Sequence, residues 1–321
     1  MKAILDQVRG QDKVIGYLLS AMKQKKLPHA LLFVGPAGIG KKMVALGLTQ
    51  ALTCENNADK RACGQCPKCQ RVRNEQSESL HLVKAVGDTI KVEQTRDILQ
   101  FTSLKSLGTA QVVIIDSAHL MTTQAANSLL KGLEEPPENT YFILVTSNLG
   151  TILPTIRSRS QVVRFSPLAT QDIREMSGLD GWQLAASQGS MERAENLKDG
   201  SYEELRLKAI GFVKKCFAGK EPNIALLHDF RELVREKDQS IVLAKFWQQL
   251  FRDARIYRQS IDQTIHADQA GLFANMEDIS AEQLSSLSQQ AFILEGEFKA
   301  NRDRGLCLEN FYFKCVDYAL D

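Results

Sequence analysis

No apolar run in the sequence approaches the ~20 residues that a membrane-spanning helix requires, which excludes a helical crossing of the bilayer. The opening stretch, MKAILDQVRGQDK, has neither the apolar core nor the cleavage site of a secretory leader. Together these predict a cytoplasmic protein with no membrane partner. An excess of one charge is missing too: 40 Lys and Arg stand against 38 Asp and Glu, a net charge of +2. That balance neither demands nor excludes a nucleic-acid partner. Cysteine lacks an even count: there are seven, which argues against a disulfide framework in a cytosolic chain. Internal repeats and low-complexity tracts are absent. With 44% hydrophobic and 24% charged residues, the composition is that of an ordinary soluble globular protein.

The 321 residues suffice for two or three domains, each with its own core. A helix is predicted over 13–25, with Val14, Tyr17, Leu18 and Met22 at helical spacing. Leu31-Leu32-Phe33-Val34 reads as a short buried strand. Lys41 to Thr53 reads as a helix carrying Met43, Val44, Leu46, Leu48 and Leu52. Further strands are predicted at 81–83, 111–116, 141–146 and 161–165, and further helices over Val92 to Leu104 and Thr122 to Glu135. The last of these stops at Pro136-Pro137, because a residue before proline is pushed out of helical geometry. Strands that are apolar on both faces and alternate with helices predict an α/β domain over 1–167, a parallel sheet covered on both sides. After Pro167 the texture changes. Residues 168–201 read as a small helical module. Residues 202–321 read as all-helical, with Val242, Leu243, Phe246, Trp247, Leu250 and Phe251, then Leu284, Leu287, Ala291, Leu294 and Phe298, at three- and four-residue steps. That half carries no obvious chemistry, so packing and assembly are its expected work.

Between the first strand and the following helix stands GPAGIGKK, residues 35–42. A phosphate-binding loop follows the pattern G-x-x-x-x-G-K-[ST], whose backbone N–H groups wrap phosphates at a helix N-terminus. Gly35, Gly40 and Lys41 fit, and Gly38 lies within the loop. The position that should carry a hydroxyl for Mg²⁺ is Lys42, whose ammonium has donors and no acceptor. The loop is therefore expected to hold phosphate, ATP or ADP, poorly for chemistry, with Lys42 repelling a cation or pointing away. Asp116, ending the strand Val112-Val113-Ile114-Ile115, is the candidate carboxylate on the magnesium side. Ser117 follows it, and a serine is no general base unless another base activates it.

Four of the seven cysteines fall in one segment with the spacing C54-x8-C63-x2-C66-x2-C69. Cys54, Cys63, Cys66 and Cys69 can close a tetrahedron of thiolates with no open position, which suits structural zinc. An iron–sulfur cluster is the rival, although Gln70-Arg71-Val72-Arg73 stands where a ferredoxin run takes its further Cys and Pro. A redox pair is a third option. Lys60, Arg61, Lys68, Arg71 and Arg73 make the segment basic, which suits a solvated surface, a nucleic acid or an acidic partner. His29, His81 and His119 have no partner at ligand spacing and read as structural. Glu134 and Glu135 are adjacent, so they point to different helix faces and do not form a catalytic pair.

The order of these motifs, with Gly10-Gln11, His29-Ala30-Leu31-Leu32-Phe33, IIDSAHL at 114–120, AANSLLKGLEEPPENTYFILVT at 125–146 and IRSRS at 156–160, resembles the bacterial clamp-loader subunits of the AAA+ class. NRDRGLCLE at 301–309 is similar as well. The resemblance implies an AAA+ P-loop domain, a helical lid over 168–201 and an all-helical collar over 202–321. It implies a hetero-oligomeric ring with motor subunits and a clamp-opening subunit, and through them a sliding clamp and primed DNA. It also implies a zinc module at the cysteines. Motor subunits carry Thr or Ser where Lys42 stands, Glu where Ser117 stands, and Arg in a Gly-Ser-x-Arg pattern. Here that pattern reads Gly189-Ser190-Met191-Glu192, with Arg193 one residue late and hence turned by about 100°. These departures resemble the non-hydrolysing, delta-prime type of DNA polymerase III subunit.

Ser158-Arg159-Ser160 matches the family's Ser-Arg-Cys motif except at its last position. The resemblance implies that Arg159 acts in trans, reaching a neighbour's ATP, where such an arginine stabilises charge on the transferring phosphoryl group. A surface or salt-bridge role is the plainer alternative, and Arg157 and Arg164 stand close by. Two other functions stay open on the sequence: a motor ATPase of gamma/tau type with an unusual loop, and a nucleotide-binding interaction scaffold. Nothing in the sequence carries polymerase chemistry.

Overall fold

The computed structural model describes residues 2–56, 61–103, 110–217 and 226–320. The chain divides into two compact units: residues 1–175 with 189–192, and residues 176–188 with 193–321. The stretch 168–201 is thus shared between them.

The first unit runs α1 (Asp12–Lys23), β1 (Ala30–Val34), α2 (Lys41–Thr53), α3 (Pro67–Arg73), β2 (Leu80–Val83), α4 (Val92–Ser103), β3 (Gln111–Ile115), α5 (Thr123–Glu134), β4 (Thr140–Thr146), α6 (Pro154–Arg159), β5 (Gln161–Arg164) and most of α7 (Thr170–Ser177). The five strands form one parallel sheet in the order β2-β3-β4-β1-β5. β1 and β3 are buried at every residue, as a sheet covered on both faces requires. Leu32, Val113, Ile115, Phe142 and Leu144 pack there with Ile98, Leu129, Leu133 and Ile156 from the helices.

Most expected elements are present within a residue or two, with informative exceptions. Tyr17 and Met43, read as core-facing, are 48% and 43% exposed. Leu19 takes the buried place in α1 instead. Thr122, expected inside a helix, is the N-cap of α5, its side chain accepting from Ala125 N. Leu104 lies outside the described residues. Helices α3 and α6 were not legible. Each opens on a proline at its first turn, which reads equally well as a break.

The second unit holds α8 (Gly181–Ser187), most of α9 (Met191–Asn196), then α10 (Gly200–Cys216), α11 (Leu226–Leu233), α12 (Lys237–Tyr257), α13 (Ala270–Ala274), α14 (Ala281–Lys299) and α15 (Arg304–Leu320). Its core is aromatic: Phe212, Phe230, Trp247, Phe251, Phe311 and Tyr312 interlock. The periodic residues of α12 and α14 are buried as read, apart from the half-buried Val242. Ser280 and Gln283 close α14 with a capping box. A polar network crosses this unit. Buried Arg206 donates to His266 Nδ1 at 3.1 Å and to Asp268 at 2.5 Å, with its guanidinium 4.6 Å from the Trp182 ring. Fully buried Asp253 accepts from the backbone N–H groups of Ile265 and His266, both at 2.8 Å. Among the described residues no helix is long and apolar enough to cross a membrane.

Candidate functional site

The loop Gly35–Gly40 leaves the C-terminal end of β1, and Gly35 N donates to Thr146 O at the end of the neighbouring β4. Gly40 caps α2 with φ 92° and Gly38 has φ 69°, both left-handed conformations that favour glycine. A segment distant in sequence covers Gly38. Met191 N donates to its carbonyl at 2.9 Å, and a Cβ on Gly38 would stand 2.5 Å from Ser190 Oγ and 2.8 Å from Glu192 N. Lys41 is buried. Its ammonium donates to the loop's own carbonyls, Gly35 O at 2.7 Å and Pro36 O. Burial lowers its pKa, and the nearby Asp116 and Glu192 partly offset that. The loop thus spends the lysine's ammonium on its own backbone oxygens, within the field of two carboxylates.

Asp116 follows β3 directly, its N–H bonded to Val83 O. Ser117 takes a left-handed φ of 61° at the turn. His119, read as structural, comes to this same end of the sheet. Its ring nitrogens lie 3.4 Å from Thr146 Oγ1 and 3.4 Å from Ser147 Oγ, and burial and Lys41 lower its pKa. His29 and His81 hold structural places, His29 against Leu133 O and His81 against the Phe101 ring.

Lys42 is turned to Glu75, at 2.7 Å, and Glu75 also binds Lys84, at 2.6 Å. The hydrogen bonds of the two ammonium groups hold the Glu75 carboxyl below its ordinary pKa. Glu75 sits just past α3 at a left-handed φ of 57°, so the residue in the hydroxyl's position is tied to the segment that follows the cysteines. No local spacing connects Lys42 to Glu75, or Lys41 to Glu192. Only the fold brings them together, and sequence reasoning missed both.

Arg159 ends α6 on the surface. It pairs with Glu134 at the end of α5 and donates from NH1 to Thr155 O at 3.0 Å. The salt bridge named as the plainer alternative is therefore present. Arg157 and Arg164 are exposed as well. Arg193 donates to Gln188 Oε1 at 2.7 Å within the second unit.

The four cysteine sulfurs lie within 4.8 Å of one another, with Cys54 to Cys66 at 3.9 Å and Cys63 to Cys69 at 4.0 Å. A tetrahedral centre with bonds of ~2.3 Å needs sulfurs about 3.8 Å apart, so this cluster fits a metal ion. Backbone N–H groups point at the sulfurs: Cys63 N at Cys54, and Gln65 N and Cys66 N at Cys63. Those two donors bring the Cys63 thiol down to about 6, toward the thiolate a metal takes, while burial pushes Cys54 and Cys69 up. The basic surface is largely neutralised locally. Arg61 pairs with Asp6, Lys68 with Glu55 and Arg71 with Glu78, and Arg73 donates to Lys2 O. Lys60 lies outside the described residues.

Residues 10–169, about half the chain, match the family described as "DNA polymerase III, delta subunit". Among curated relatives, DNA polymerase III subunit tau of Bacillus subtilis is 35% identical over 202 residues, 62% of this chain and 36% of the relative. DNA polymerase III subunit delta' of the same organism is 36% identical over 167 residues, 51% of this chain and 50% of the relative. The matched region thus spans half or less of the length of these relatives. Among solved structures, a DNA polymerase III gamma subunit-related protein of Thermotoga maritima aligns with TM-score 0.47 and 18% identity over 94% of this chain and 99% of that chain.

Proposed function

The chain belongs to the clamp-loader subunits of the AAA+ class, and on that premise we propose that it is a non-hydrolysing subunit of delta-prime type. Relatives of both the tau and the delta' kind match at nearly equal identity, so overall similarity does not choose between motor and non-motor. The observation that carries the choice is the engagement of Lys42 with Glu75. The position from which a hydroxyl would ligate Mg²⁺ holds an ammonium bound into an ion pair. Three further features support it. Lys41 is occupied by its own loop, Ser117 supplies no base beside Asp116, and Ser190 to Glu192 pack on Gly38.

On this reading the chain acts on its neighbour. Arg159, exposed at the end of α6, enters the ATP site of an adjacent motor subunit and stabilises charge on the phosphoryl group during transfer, a role worth about 10³–10⁵ in rate where it has been dissected. Residues 1–167 form the AAA+ domain, residues 168–201 a lid and residues 202–321 a collar through which the ring assembles. The ring, with motor and clamp-opening subunits, loads a sliding clamp on primed DNA in the cytoplasm. Zinc sits among Cys54, Cys63, Cys66 and Cys69. It staples a short insertion that has little apolar core, a closed four-thiolate set with no position left for chemistry.

The test of the non-hydrolysing half is calorimetric titration of the purified chain with ADP and ATP, with and without Mg²⁺. Magnesium should not tighten binding of either nucleotide. Binding that tightens tenfold or more with Mg²⁺ would return the chain to the motor class.

A further inference from the structure

Glu134 is the one carboxylate paired with Arg159 among the described residues, and the two stand at the ends of separate helices whose positions are fixed by other contacts. α5 ends at Glu134 and is followed by Pro136-Pro137, and His29 Nε2 lies 3.0 Å from the carbonyl of Leu133. α6 begins at Pro154 and is anchored by fully buried Ile156, which shares a core with Leu129 and Leu133. The guanidinium thus has a fixed acceptor on each side: Glu134 Oε1 for NH2 and Thr155 O for NH1.

From this we infer that Glu134 is the positioning residue for Arg159, holding the guanidinium at the C-terminal end of α6 so that it is poised to meet a neighbour's nucleotide; the inference rests on the trans role given to Arg159 above. The pair is too exposed to act as a lock. The side chains of Arg159 and Glu134 are 35% and 47% exposed, and ion pairs in such settings hold weakly against a competing phosphate. It is strong enough to bias a long side chain that otherwise samples many rotamers. Arg159 has five N–H donors. The bonds to Glu134, Thr155 and Ser158 use the two terminal nitrogens, and among the described contacts Nε makes none. Arg159 can therefore keep Glu134 and still have N–H groups left for a second acceptor. This differs from a catalytic role: Glu134 would touch no substrate and would act only through the arginine.

The experiment measures steady-state ATP turnover by the reconstituted ring of this chain with its motor and clamp-opening partners, on primed DNA. Four versions of this chain are compared with wild type: Arg159→Ala, Glu134→Ala, Glu134→Gln and the double alanine variant. Glu134→Ala should lower kcat about three- to tenfold with KM for ATP unchanged. Glu134→Gln, which keeps an acceptor, should recover part of that loss. The double variant should be no worse than Arg159→Ala alone, since Glu134 has nothing to do once the arginine is gone. The melting temperatures of the Glu134 variants should match wild type. If Arg159→Ala lowers kcat while Glu134→Ala leaves it within twofold of wild type or raises it, the positioning role is wrong and the trans role stands. If the double variant loses clearly more than Arg159→Ala, Glu134 acts by another route. If Arg159→Ala itself changes nothing, both the trans role and this inference fall.

Discussion

His266 gives the second unit an acid sensitivity that can be calculated. Its imidazole is buried. Nδ1 accepts from Arg206, so the ring is neutral with its proton on Nε2, facing Gln249 Oε1 at 3.3 Å. Burial first, and then the Arg206 cation, bring its pKa down to about 3. An unfolded imidazole titrates near 6.5, so below that pH the unfolded chain takes up a proton that the fold refuses. The stability held above pH 6.5 is lost as pH falls toward 3, and by pH 5 the loss is about 2 kcal/mol relative to pH 7.5. Asp253 works in the opposite direction. Burial pushes its carboxyl up to about 6, so the fold takes its proton before the unfolded chain does. Its contribution rises as pH falls from 6 toward 4 and restores about 1 kcal/mol at pH 5. The wild-type slope is therefore shallow, and the variants separate the two effects. With His266→Asn, which keeps an acceptor for Arg206 but does not titrate, stability lost between pH 7.5 and 5.0 should be about 2 kcal/mol less than in wild type. Urea unfolding followed by tryptophan emission isolates this unit, because the only two tryptophans, Trp182 and Trp247, both belong to it. The comparison uses the pH dependence of each protein, so a uniform destabilisation by the substitution does not disturb it. Equal pH dependence in wild type and variant would refute the reasoning.

Three further outcomes are expected. The purified wild type should carry about one zinc per chain by metal analysis, and Cys69→Ser essentially none, with loss of thermal stability in the first unit; undiminished zinc in the variant would remove Cys69 from the ligand set. Lys42→Thr should change stability by no more than about 1 kcal/mol, since its pair with Glu75 is partly exposed, and by itself should give no ATP turnover because Ser117 still follows Asp116; turnover from the single substitution would show that Ser117 is no obstacle. Gly38→Ala should destabilise the first unit by about 2 kcal/mol in thermal unfolding followed by circular dichroism, as the methyl enters at a left-handed φ against Ser190; an unchanged melting point would mean that the loop relaxes freely.

The sheet was legible because its strands are buried on both faces. Val112 to Ile115 can be little else than an inner strand, and a continuous apolar run between helical periods carries that information locally. The glycine loop was legible because its backbone demands small residues at fixed spacing, and the cysteines because three of the four follow one another at two-residue gaps, a spacing that can wrap one metal. Three contacts were not legible: Lys42 with Glu75, Glu192 near Lys41, and Glu134 with Arg159. Each joins charged residues far apart in the chain, and a surface Glu has no pattern that announces its partner. The network of Arg206, His266 and Asp253 was hidden for a related reason: polar residues inside a helical bundle interrupt the apolar period and read as exposed. Tyr17 and Met43 fail in the opposite sense, being apolar residues that periodicity assigns to a core they do not reach.

The central claim is that this chain supplies an arginine to another subunit and does no chemistry at its own loop. The most direct measurement is DNA-stimulated ATP turnover in the reconstituted ring, comparing Lys41→Ala with Arg159→Ala, both made in this chain. A loss of turnover with Arg159→Ala and none with Lys41→Ala is the predicted result. An equal loss with Lys41→Ala would contradict it, because the glycine loop would then be a working site despite Lys42 and Ser117.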